Sequence, residues 1–118
     1  MIVGIGVDLV DVARFETAIA NTPKLKDRLF TEGEKNLNSY SLAARFAAKE
    51  ALMKAIGKAQ GLSFQEVEVV KDSFGKPSFE LTGESKQTVS ARGVANLHLS
   101  LSHDGQMAIA YVIAEGAN

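Results

Sequence analysis

The stretch that most constrains the fold is Arg45 to Gly57, RFAAKEALMKAIG, because the side of it that must be buried is mostly alanine. At about 100° per residue, Ala48, Ala51, Leu52, Ala55 and Ile56 fall on one side of a helix. Glu50 and Lys54 share another side with Phe46 near them, and Arg45 and Lys49 line a third edge. An alanine stripe lets a helix approach its partner closely, so the partner should carry small residues too. Residues 2 to 9 offer one. Val3, Ile5, Val7 and Leu9 share one face of a strand, and Gly4, Gly6 and Asp8 share the other. Glycine inside a strand marks close approach of another backbone. Docked this way, Asp8 closes the strand on the helix side, where it can meet Glu50.

The remaining chain alternates short helices and strands. Asp11 can cap a helix carrying Val12, Phe15 and Ile19, with Arg14 off that stripe. Thr22 and Pro23 restart the chain as cap and first helical residue, leading into KLKDRLF, where Lys24, Lys26 and Arg28 make a locally basic segment. Thr31 to Glu34 matches a capping box and opens a further short helical piece, Ser41 caps the long helix, and Gly57 stops it. Phe64, Val67, Val69 and Val70 read as a strand, DSFGKP as its turn and SFEL as the return. Glu84 to Arg92 is a polar surface helix ended by Gly93. Leu97, Leu99 and Leu101 alternate with polar residues, and Asp104-Gly105 turns the chain into MAIAYVIA. The expected architecture is α+β, a long central helix packed on a mainly antiparallel sheet, with residues 1-118 as a single domain.

Composition narrows the function classes. A net charge of -1 argues against a general nucleic-acid binder, and zero cysteines exclude disulfides and thiolate metal sites. MIVGIGVDLVD has no basic leader, and no apolar run approaches the ~20 residues that cross a bilayer. The chain reads as soluble and cytoplasmic, with neither a nucleic-acid nor a membrane partner.

Three groups of side chains carry possible chemistry. Asp8 and Glu50 are hard oxygen donors that suit Mg²⁺, which takes few protein ligands and completes its shell with water and phosphate. The plainer alternative has Asp8 ending a strand and Glu50 pairing with Lys54 at i,i+4. Arg45, Lys49, Lys54 and Lys58, with Lys76 in its glycine-proline turn, could receive a polyanion or simply solvate a helix face. Ser100, Ser102, His103 and Asp104 sit at a hairpin tip, where polar groups reach ligands, but neighbours on one strand do not form a nucleophilic relay. No P-loop, GxGxxG or HExxH is present.

Four segments together resemble a known family: GIGVDLVDVARF, RFAAKEALMKAIG, FGKP and LSLSHDGQMAIAYVIAE, in this order from Ile2 to Glu115. They are similar to the holo-[acyl-carrier-protein] synthase family, the small single-domain group of 4'-phosphopantetheinyl transferases. The resemblance implies that fold, and transfer of phosphopantetheine from coenzyme A to a serine of apo acyl carrier protein in support of fatty acid biosynthesis. It implies Mg²⁺ on Asp8 and Glu50, and Lys54 assisting the leaving phosphate. Coenzyme A contacts are implied at Arg45, Lys54, Gly57, Lys76, Pro77, Ser102 and His103, and carrier-protein docking at Arg14, Lys24 and Arg28. The serine proton would go to Asp104 beside His103, to Glu50 or to a water. A homotrimer with active sites between subunits is also implied. In one departure, GKAQGLSF follows the helix where many members carry a longer glycine-rich loop, so contacts of that loop are not carried over.

Overall fold

A computed structural model describes residues 1–57 and 60–117. In chain order the elements are β1 Ile2–Asp11, α1 Val12–Asn21, α2 Pro23–Leu29, α3 Ser39–Ile56, a 3-10 turn Phe64–Glu66, β2 Val67–Lys71, β3 Pro77–Leu81, α4 Gly83–Ala91, β4 Val94–Asp104 and β5 Met107–Gly116. β1, β5 and β4 form an antiparallel sheet in that order, and β2 with β3 a separate antiparallel hairpin. The arrangement is α+β, as expected.

α3 lies directly on the three-stranded sheet. A Cβ placed on Gly4 would come within 1.9 Å of the Ala55 carbonyl oxygen, and one on Gly6 within 1.9 Å of that of Ala51. Both glycines are therefore required by backbone contact with the helix. Ala47, Ala48 and Ala51 meet Ala108, Ala110, Val112 and Ala114 in the same buried layer. Small residues on both sides bring strand and helix side chains that flank the contact, Asp8 and Glu50 among them, within reach of one another.

The opposite face of this sheet carries Val3, Ile5, Val7, Leu9, Ile109 and Tyr111, which are 36% to 59% exposed. So wide an apolar surface is unusual for a chain that works alone.

Several local expectations are corrected. β1 runs on past Asp8 to Asp11, because Val10 returns to the core opposite Ala108. Asp11 does cap α1, accepting from the Arg14 N–H at 3.0 Å. α3 is capped by Asn38, whose side chain accepts from the Ser41 N–H at 2.9 Å, so Ser41 lies inside the helix. Gly57 ends it in the left-handed conformation at φ 89°. Thr31 and Glu34 make the capping-box contact, Thr31 N–H to Glu34 Oε1 at 3.0 Å, yet turns follow rather than a helix. The Glu34 carboxylate is drawn inward to other partners. Phe64 belongs to the 3-10 turn and not to β2. α4 is exposed along most of its length but buries Ser85 and Val89.

Candidate active site

β1 and α3 bring Asp8 and Glu50 to one cavity of about 540 Å³. Arg14 lines it at its polar side, and Phe15, Leu25, Leu29, Phe46 and Phe64 form apolar walls. Lys54 donates to Asp8 Oδ1 at 3.0 Å and to the Val7 carbonyl at 3.0 Å. The alternative Glu50–Lys54 pair is not made, since the closely packed strand offers Lys54 two acceptors at once. The Glu50 carboxyl is pushed above its ordinary value, first by burial and then by the charge of Asp8, with Lys54 acting against both. A cation beside Glu50 would offset the charge of Asp8 that opposes its ionisation. Among the described residues no three His, Cys, Asp or Glu cluster together. Two hard oxygen donors without sulfur or imidazole suit Mg²⁺, which retains several waters.

A second cavity, of about 220 Å³, lies at the start of α3. Tyr40, Ser41, Arg45, Lys71, Leu101, Ser102 and His103 line it. Arg45 is 7% exposed, so its place on a solvated helix face is corrected. Its Nε donates to the Val69 carbonyl at 3.3 Å. The His103 ring lies 5.9 Å from the Tyr40 ring, and Tyr40 Oη accepts from Gln106 Nε2 at 3.1 Å. Tyr40 and Lys71 escaped the sequence reading. Lys71 stands opposite Pro77 across the β2–β3 ladder, a register seen only in the structure.

The two cavities share no lining residue, and the strands that edge them, β1 and β4, are separated by β5. Asp8, Glu50 and Arg14 come together on one flank of α3, with Lys54 on Asp8. Arg45, Ser102 and His103 come together on the other. Lys24 and Arg28 are exposed on α2, Lys76 on the β2–β3 turn and Asp104 at the end of β4. Pro77 opens β3, and Gly57 caps the far end of α3. Lys58 lies outside the described residues.

The sequence model of the 4'-phosphopantetheinyl transferase superfamily matches residues 4–112. The chain belongs to this superfamily. It is 55% identical to the holo-[acyl-carrier-protein] synthase of Clavibacter michiganensis subsp. michiganensis over 98% of each chain. The structure of the corresponding synthase of Neisseria meningitidis superposes with a TM-score of 0.91 at 31% identity, covering 98% of this chain and 99% of that one. That of Helicobacter pylori, solved in complex with coenzyme A, gives 0.82 at 32% identity over 94% and 99%.

One charged residue of α3 has a different place in this phosphopantetheinyl transferase from the helix edge first assigned to it. Lys49 has no solvent exposure and pairs with Glu34, itself 1% exposed, at 2.6 Å. Burial pushes the Lys49 ammonium down, while Glu34 pulls it back up. Removing either partner would strand a buried charge, at a cost of about 3–5 kcal/mol. Glu34 was legible only as a capping residue. Its pairing depends on a contact fifteen residues away, which no local pattern encodes.

Proposed function

We propose that this phosphopantetheinyl transferase moves the 4'-phosphopantetheine group of coenzyme A to a serine of apo acyl carrier protein, releasing adenosine 3',5'-bisphosphate and supplying loaded carrier for fatty acid biosynthesis in the cytoplasm. The observation that carries the reading is the convergence of Asp8 and Glu50, from β1 and α3, on one cavity beside Arg14. Residues 1–118 act as one domain, a reading supported by the single core cluster. No helix among the described residues is long and apolar enough to cross a membrane.

Asp8 and Glu50 would hold Mg²⁺. A metal held there would supply neutralisation of charge on the diphosphate of coenzyme A. The serine oxygen forms its bond to the β-phosphorus as the bond to the leaving bisphosphate breaks, with the serine proton passing to an acceptor. Lys54 is 55% exposed and can turn from Asp8 toward the leaving phosphate. Glu50 lines this cavity and Asp104 does not, so Asp104 would accept the proton only from a neighbouring copy. Arg45, Ser102 and His103 would bind the coenzyme A phosphates in the second cavity, joined by Lys71 and Tyr40. Lys76 and Pro77, on the hairpin that carries Lys71, and Gly57 would border the same ligand.

One ligand touching both cavities would have to bridge two copies, since a single chain keeps them at opposite sheet edges. The exposed apolar face of the sheet supports self-association. A homotrimer with sites between subunits meets both demands. Arg14, Lys24 and Arg28 would steer an acidic carrier, so docking should weaken with salt.

The test is a mass spectrum of apo carrier protein after incubation with the protein, coenzyme A and Mg²⁺. The carrier should gain one phosphopantetheine, and chelation of Mg²⁺ should abolish the gain. No gain with any of several carriers, from folded protein, would overturn the reading.

A further inference from the structure

Lys49 is the charge of α3 that the transfer reaction leaves unused, and it is the best satisfied. An ammonium has three N–H donors. Those of Lys49 reach Glu34 Oε1 at 2.6 Å, the Leu29 carbonyl at 2.8 Å and the Phe64 carbonyl at 3.1 Å. Leu29 is the last residue of α2, Phe64 opens the 3-10 turn, and both line the cavity of Asp8 and Glu50. Gln65, on that turn, donates to the Asp27 and Phe30 carbonyls. Glu34 in turn accepts from the N–H of Thr31 at 3.0 Å and of Val69 at 2.8 Å. The carbonyls at the end of α2 are thus held by α3 and the 3-10 turn, and Lys49, which holds that of Leu29 from α3, stands next to Glu50.

An apolar pair of similar size would often stabilise such a site as well as the ions do. It would not supply three directed bonds to three separate segments. We infer that the Lys49–Glu34 pair is a positioning device for carrier-protein docking. It fixes the end of α2, with Lys24 and Arg28 on that helix, relative to Glu50, so that a docked serine meets the reacting phosphorus. This rests on the transferase reading above. The pair meets the coenzyme A cavity through Val69, whose N–H bonds Glu34 and whose carbonyl accepts from Arg45, and through the attraction between the Glu34 and Arg45 charges.

The test varies carrier protein and coenzyme A separately in steady-state kinetics of Glu34→Gln and Glu34→Asp. Glu34→Gln removes the charge but keeps an oxygen for Val69. Its KM for the carrier should rise about tenfold or more, as expected when the docking charges of α2 lose their register and binding contacts are weakened, with KM for coenzyme A within about twofold of wild type. Glu34→Asp retains the charge and should recover part of the carrier KM. A purely stabilising pair would lower kcat with the folded fraction and leave both KM values unmoved, which overturns the inference. An equal rise in both KM values overturns it too. If neither variant reaches native helix content by circular dichroism, the pair serves folding and the inference falls. Failure of the underlying reading is distinct, because wild-type protein would then transfer nothing, and the inference would fall with it.

Discussion

The two cavities that flank α3 differ both in charge and in construction. The one beside β1 presents two carboxylates, placed by a regular strand and a regular helix whose backbones touch at Gly4 and Gly6. The one beside β4 presents Arg45, Lys71 and His103, gathered from the start of α3, the end of β2 and the end of β4. The first is held by backbone packing and the second by side chains that span three segments. Acid on one flank and base on the other suit the two ends of one ligand, a metal-held diphosphate and a further phosphate. Yet one chain faces them apart.

The largest effect should come from removing the acidic side of this contrast. Asp8→Ala and Glu50→Ala should each slow transfer on the order of 10³-fold, measured as the rate of carrier mass gain, with circular dichroism unchanged. Arg45→Ala should instead act mainly through KM for coenzyme A, by about 10- to 100-fold. Equal losses in kcat from both flanks would erase the distinction between them.

Mixing the two kinds of defect tests whether the flanks meet across subunits. Chains carrying Glu50→Gln and chains carrying Arg45→Ala, each poorly active alone, should recover when assembled together at equal ratio. About a quarter of the sites would then pair an intact acid flank with an intact basic flank, given symmetric assembly. If both flanks of a site came from one chain, every site would keep a defect and nothing would be recovered.

How far the sequence could reveal this follows from the same contrast. The glycines of β1 and the alanines of α3 are periodic, and their period suggests a close contact that would bring Asp8 toward Glu50, although the pattern alone fixes no tertiary contact. Arg45, Ser102 and His103 could be named as coenzyme A contacts only through the family resemblance, because their meeting depends on how β4 and α3 are placed in space. Tyr40 and Lys71 join them for the same spatial reason and were missed. The Lys49 edge was misread because a lysine on a helix is ordinarily solvated. Its burial depends on Glu34 arriving from a turn that reads, locally, as a helix start.

The smallest effect separates the cavities by stability rather than rate. With its pKa raised above the ordinary 4.5 by burial and by Asp8, Glu50 favours the folded state when protonated. That contribution is fully present below the ordinary value and is lost as pH rises through the raised one. At pH 7, without Mg²⁺, the wild-type protein therefore carries an ionised Glu50 at a cost to stability. Glu50→Gln cannot ionise and should melt a few degrees higher there, the gap closing as pH falls below the ordinary carboxylate range. Added Mg²⁺ should narrow the gap from the other direction, stabilising wild type by binding its folded form while leaving the variant little changed. Arg45→Ala keeps both carboxylates and should retain the full response to Mg²⁺. A melting temperature for Glu50→Gln equal to or below wild type at pH 7, in metal-free buffer, would mean that ionised Glu50 costs the folded state nothing, and with that the acidic flank would lose its reason to recruit a cation.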